Sequence, residues 1–187
     1  MTSWKLTIIK IALKEGEALL QTLKKHLLKV FPKLEEIEEL SLPSQILEEA
    51  YTPARGQYNS TKILFKLTES IQVKSERFLA ITSVDLYAYG LNFVFGEAQF
   101  PGRFAIISLC RLKPEFYGEP DGELFSERVK KEVTHELGHT FGLTHCPNPK
   151  CVMHFSNSIA DTDLKSNIFC DICWWKLKRS LEANLIS

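Results

Sequence analysis

The sequence predicts a single α+β domain over residues 1–187, and three observations carry that expectation. Two apolar runs, Trp4–Leu13 and Phe78–Tyr87, have the Ile, Leu and Val content of strands. Apolar residues recur at helical spacing in Glu15–Val30 and again in Glu123–Phe141. Between them, Asn92–Phe100 and Arg103–Arg111 read as a hairpin-like pair divided by Pro101-Gly102.

Each element has its own reason. Trp4–Leu13 is a first strand. In Glu15–Val30 the residues Leu19, Leu20, Leu23, Leu27 and Val30 share one helix face, and Pro32 closes the segment. Leu34–Leu40 alternates Glu with apolar residues and fits a strand or a helix. Pro43 and Pro53 bracket a loop or short helix. Tyr58–Leu67 is expected to be helical, capped by Asn59 or Ser60. Phe78–Tyr87 is the clearest strand, apolar enough to be covered on both faces. Phe95-Gly96 suits an exposed strand along a cleft, or a glycine bulge. Pro114–Gly122 reads as a loop. In the helix Glu123–Phe141, Val129, Val133, Leu137 and Phe141 form the packing stripe. Pro147-Asn148-Pro149 excludes a continued helix. Asp163 is placed to cap a short helical segment, and Trp174–Leu185 reads as the last helix.

Composition narrows the function. The chain has 187 residues, 44% hydrophobic and 25% charged, with 23 basic and 23 acidic side chains. A balanced charge offers no footprint for nucleic acid or an anionic membrane. The first residues lack an unbroken apolar region and a small-residue cleavage site, so a cytoplasmic protein without a membrane span is expected.

The chemistry is concentrated in His135-Glu136-Leu137-Gly138-His139-Thr140-Phe141-Gly142-Leu143-Thr144-His145. His135 and His139 are four residues apart and so share one helix face, where two imidazoles can hold one metal ion. Glu136 beside the first ligand can act as general base toward water. Gly142 permits a left-handed turn that ends the helix and brings His145 round as a third ligand. Three protein ligands leave one position open, as in catalytic zinc sites.

Five cysteines follow a second pattern: Cys110 alone, then Cys146, Cys151, Cys170 and Cys173. Four thiolates grouped as C-x4-C and C-x-x-C suit a closed structural zinc, with two disulfides or unlinked core cysteines as the other options. Cys110 lies in an apolar run and is expected to be a small buried hydrophobe. His26 stands in a Lys-rich helix and is expected to be solvated; His154 is expected at the surface or in a hydrogen bond.

Met153 shortly after His145 fits the methionine turn of metzincin metalloproteases. With that residue the chain resembles the archaemetzincin family, which joins the extended histidine motif directly to a C-x4-C-x-M segment and a later C-x-x-C. The likeness extends upstream through Thr82–Tyr87 and Gly90–Gly96. The resemblance implies a compact metzincin-like α+β fold, with a twisted mixed sheet, an antiparallel edge strand and an active-site helix below a cleft. It also implies two zinc ions per chain, one catalytic on His135, His139 and His145 and one structural on Cys146, Cys151, Cys170 and Cys173. The expected activity is zinc-dependent hydrolysis of peptide or protein substrates by a monomer, with Glu136 as base. A weak or latent zinc scaffold that binds a peptide or protein partner is the alternative, and a four-cysteine nucleic-acid module is disfavoured by the charge balance. One departure stands out: several metzincins carry a tyrosine two residues after the methionine, and here that residue is Phe155.

Overall fold

A computed structural model describes residues 3–71, 76–118 and 120–183. The elements run β1 (Trp4–Ile11), α1 (Glu17–Val30), β2 (Leu34–Leu42), β3 (Tyr51–Thr52), β4 (Gln57–Asn59), α2 (Ser60–Ser70), β5 (Arg77–Thr82) and β6 (Leu86–Tyr87). They continue with β7 (Gly96–Ala98), β8 (Phe104–Ser108), α3 (Gly122–Thr140), α4 (Ile159–Leu164) and α5 (Asp171–Ala183).

The main sheet has the order β2-β1-β5-β8-β7. Its first four strands are parallel, and only β7 runs antiparallel, on β8. The mixed sheet with an antiparallel edge therefore matches the expectation. Alternation splits the side chains between two layers. Leu6, Ile8, Leu79, Ile81, Ala105 and Ile107 face one layer, which also holds Leu23 and Leu27 of α1 and Val129, Val133 and Leu137 of α3. Ile9, Ile11, Phe78, Ala80, Phe104 and Ile106 face the other, against Ile63, Leu64 and Leu67 of α2. Both faces are covered, so each of these side chains leaves water completely or nearly so. Burying one Leu or Ile contributes about 1.5–3 kcal/mol.

Several elements differ from the sequence expectation. The open choice at Leu34 resolves as strand. Its Glu residues point outward, where Glu36 pairs with Lys5 and Glu39 with Lys10 and Lys24. The helix expected from Tyr58 starts at Ser60, because Tyr58 is taken into β4. Asn59 caps that helix, its side chain accepting from Lys62 N–H at 2.9 Å. The long strand Phe78–Tyr87 breaks after Thr82. There Leu109 N–H binds the Thr82 carbonyl, and Asp85 is drawn aside by Arg111 (2.7 and 2.8 Å) and Gln57 (3.0 Å).

The hairpin forms but is shorter, because Val94 leaves it to bridge Leu86. The expected loop at Pro114 contains a 3-10 turn, Pro114–Tyr117. Asp163 does not cap a helix. Ser158 is the N-cap of α4, while Asp163 lies inside that helix and holds Arg128 of α3 through two 2.7 Å bonds. The last helix starts at Asp171, ahead of Trp174, and takes in Cys173; Leu185 lies outside the described residues.

Two single residues also depart. Cys110 is half-buried rather than enclosed. His26 is not solvated: its Nε2 lies 2.9 Å from Thr134 Oγ1, docking α1 onto α3. No helix among the described residues is long and apolar enough to cross a membrane.

Candidate metal centre

Asp121 starts α3 by accepting N–H bonds from Glu123 and Leu124, both at 3.0 Å. The helix ends where Gly142 takes φ +81°, the left-handed conformation that the sequence requires of it. Leu143 N–H then binds back to the Gly138 carbonyl at 3.2 Å. This turn carries the chain back over the helix end and brings His145 beside His135 and His139. One nitrogen from each of the three rings lies within 4.8 Å of the others.

Hydrogen bonds fix which nitrogens are free. His135 Nδ1 lies 2.8 Å from the Val152 carbonyl, and His139 Nδ1 lies 2.7 Å from the Leu143 carbonyl. A carbonyl only accepts, so each Nδ1 carries the proton. The two Nε2 lone pairs therefore face each other at 3.0 Å. That is a repulsive arrangement unless a cation lies between them. Two nitrogens on a tetrahedral zinc stand about 3.3 Å apart at Zn–N distances of about 2.05 Å. The donor set thus fits the ion, and the two carbonyls supply the outer support that zinc-binding histidines commonly have.

Burial keeps these rings neutral, as metal ligation requires. It drives His135 well below the ordinary imidazole value and His139 to about 4, and it lowers exposed His145 as well. Glu136 is pushed the other way, well above the usual carboxylate range, by burial and then by Glu132. Lys165 opposes that rise. Glu136 is accordingly a carboxylate with high proton affinity at the foot of an open cleft.

The cleft has a volume of about 660 Å³. Gly96, Glu97 and Ala98 of the edge strand form one wall, His135, Glu136 and His139 the floor, and Phe155, Ser156 and Asn157 the far wall. Phe155 packs 4.8 Å from the His145 ring. His154 turns away and bonds the Cys146 carbonyl at 2.9 Å, which is the hydrogen-bonding role expected of it.

Met153 is fully buried beneath the helix. A β-carbon on Gly138 would lie 2.5 Å from its sulfur, so the first glycine of the stretch is a contact requirement. Gly96 is another: a β-carbon there would lie 2.6 Å from Glu136 Cγ and 2.8 Å from its Oε1. Sequence reading offered cleft strand or bulge for Gly96 and missed this approach, which joins segments 40 residues apart.

Cys146, Cys151, Cys170 and Cys173 converge as a second set, with all four sulfurs within 4.8 Å of one another. None forms a disulfide. The Cys146 and Cys170 sulfurs are 3.8 Å apart. Sulfurs on a tetrahedral zinc at about 2.3 Å stand about 3.8 Å apart, whereas a disulfide needs about 2.05 Å. Cys146 N–H binds the Met153 carbonyl at 2.9 Å, which closes the segment between the two clusters.

The profile of peptidase family M54 matches residues 17–179. The chain belongs to peptidase family M54. It is a zinc metallopeptidase of archaemetzincin type, as the sequence resemblance implied. The archaemetzincin of Pyrococcus furiosus is 52% identical over 143 residues, covering 75% of this chain and 74% of the relative. That of Methanocaldococcus jannaschii is 45% identical over 164 residues, 87% of each chain. Among solved structures, the archaemetzincin of Methanopyrus kandleri superposes with a TM-score of 0.85 at 40% identity, covering 96% of both chains. A zinc-dependent peptidase from Methanocorpusculum labreanum reaches a TM-score of 0.80 at 28% identity, over 92% of this chain and 99% of that one.

Proposed function

We propose that this M54 peptidase hydrolyses peptide bonds with Glu136 as general base and carries two zinc ions. His135, His139 and His145 would hold the catalytic ion, and Cys146, Cys151, Cys170 and Cys173 the structural one. The observation that carries this reading is the pair of imidazole lone pairs facing each other at 3.0 Å, in the same cleft that Glu136 lines. Zinc in the histidine set supplies a Lewis acid that acidifies water and polarises a carbonyl.

The chain's own groups do the rest. Glu136 takes a proton from the attacking water and delivers it to the departing amine. Its high proton affinity suits the first transfer, and its position on the cleft floor suits the second. The edge strand orients the substrate. Phe95, Glu97 and Gln99 are turned toward β8, as the Ser108-to-Phe95 and Gln99-to-Phe104 bonds and the Glu97–Ile106 pairing require. The backbone groups of Gly96 and Ala98 therefore face the cleft, and an extended peptide can add there as a further strand. No tyrosine hydroxyl stands where Phe155 lies, so the developing negative charge has no phenol donor at that place.

Glu136→Gln tests the assignment. Hydrolysis of any peptide that the zinc-loaded wild type cleaves should fall about 10²- to 10⁴-fold. Zinc content should not change, because Glu136 is not a ligand. Full activity in the variant rejects Glu136 as base. A wild type that binds peptides but cleaves none favours the binding-scaffold alternative.

A further inference from the structure

Two buried side-chain atoms of residues lining the cleft, Lys165 Nζ and Ser156 Oγ, lack a hydrogen-bond partner. Lys165 is the more demanding. Its side chain is 1% exposed, and its nearest charge is Glu132 Oε1 at 2.9 Å. That contact lacks hydrogen-bond geometry, because Lys165 Nζ remains unpartnered. Glu132 is itself 4% exposed in its side chain and also lines the cleft, one helical turn before Glu136. An ammonium has three donors, and a single carboxylate oxygen occupies at most one. Buried donors left without acceptors cost stability, so such groups are commonly completed by water or by a ligand.

We propose that Lys165 forms a polar subsite in the cleft, which Ser156 also lines, that takes a carboxylate of the substrate. The proposal rests on the peptidase reading of the cleft. The four-carbon lysine stem lets the ammonium extend into the cleft without backbone movement. A carboxylate there accepts from the ammonium, whose donors Glu132 leaves open. A neutral amide fits less well, since its NH2 faces the same donors. An apolar side chain leaves them all unsatisfied. Phe93, Phe95 and Phe155 offer a carboxylate no donor, and Glu97 and Glu132 repel one, so Lys165 is where an acidic group discriminates. The carboxylate comes either from an acidic side chain or from the substrate's C-terminus.

The test is binding, read by fluorescence anisotropy on zinc-loaded Glu136→Gln protein so that no peptide is consumed. The probes are labelled hexapeptides in which each position in turn is Glu, Gln or Met, made with a free or an amidated C-terminus. At one position Glu should bind about 10- to 100-fold tighter than Gln or Met. If instead only the free C-terminus confers that gain, the carboxylate is the chain end. Adding Lys165→Met should abolish the preference and leave the Met peptides bound as before.

Lys165→Met also strands Glu132, so Glu132→Gln is the companion variant. It frees the ammonium from its competitor and should strengthen the preference. Equal binding of acidic and neutral peptides overturns the proposal and assigns the open donors to water. A preference that survives Lys165→Met, or that vanishes only on zinc removal, also overturns it by placing the carboxylate elsewhere. If no peptide binds at all, the peptidase reading of the cleft fails first and this subsite with it.

Discussion

Gly96 and Glu136 occupy the same space: a β-carbon on the one would sit 2.6 Å from Cγ of the other. The edge strand therefore presses directly on the side chain proposed as base. The same β-carbon would meet the Ile106 carbonyl at 2.8 Å. That oxygen is held in the β8 ladder, so relief needs the Glu136 side chain to move and the edge strand to shift with it. Gly96→Ala should lower turnover about 100-fold, the scale of a misplacement near 1 Å. Zinc content should stay at the wild-type level. Unchanged turnover on a peptide substrate would show that Glu136 is not held by this contact.

Gly138 has an analogous relationship with Met153. A β-carbon there would lie 2.5 Å from the sulfur and 3.2 Å from both Met153 Cε and Phe169 Cε1. Ala is the better helix former by about 1 kcal/mol. Overpacking a closed core costs about 1–3 kcal/mol, so the clash should win and Gly138→Ala should unfold at lower temperature. Combining it with Met153→Ala should recover part of that loss, because the two residues share one space. Strict additivity in thermal denaturation would contradict the contact.

The two ligand clusters should load and fail together in one direction only. Elemental analysis of metal-replete protein should find two zinc ions per chain. Cys173→Ser leaves the sulfur set incomplete, and Cys146 adjoins His145 in the chain. The third histidine then loses its anchor. Zinc at the histidine set should be held 10- to 100-fold more weakly, as for other losses of outer support. Competitive chelation of folded Cys173→Ser protein measures this. Unaltered affinity would mean that Gly142 and the helix end alone aim His145.

His26 predicts a pH effect. Thr134 donates its hydroxyl proton to the Lys130 carbonyl, so it accepts from His26 Nε2–H, and the ring is neutral. Burial, followed by the charge of Lys130, lowers the ring from 6.5 to about 4. Above pH 6.5 the ring is neutral in the folded and unfolded chain alike, and its contribution is complete. Between 6.5 and about 4 only the unfolded chain takes up the proton, so stability is lost as pH falls. His26→Gln should therefore flatten the decline in melting temperature between pH 7 and 4.5. Parallel curves for variant and wild type would dismiss His26 as a contributor.

The histidine motif was legible because its spacing is local: a helix period and one left-handed glycine decide where three rings go. The four cysteines were legible as a set, since few other roles need thiols at those intervals. Gly96 over Glu136 and Lys165 beside Glu132 were not, because each joins segments that only the folded sheet and α4 bring together. The break in Phe78–Tyr87 had the same origin. Every residue up to Thr82 suits a strand, but Asp85 is drawn off by Arg111 and Gln57. Asp163 looked like a helix cap because Asp is common there, and the distant guanidinium of Arg128 recruited it instead. His26 was misjudged in the same way, since its lysine neighbours in sequence say nothing of Thr134 across the interface.

The bond from His135 to the Val152 carbonyl has a consequence for biosynthesis. Val152 itself is held by Ile168, and Cys146 and Cys151 await Cys170 and Cys173. The parts that aim the His135 ring and gather the cysteine set are thus made after the histidine motif itself, by chain that follows Cys146. A growing chain that has completed the sheet and α3 already displays its motif but has not assembled the site. Activity should therefore arise only once Ile168 to Cys173 have emerged and folded onto the site. Ribosome-stalled chains ending shortly after Met153 should bind zinc weakly and cleave nothing.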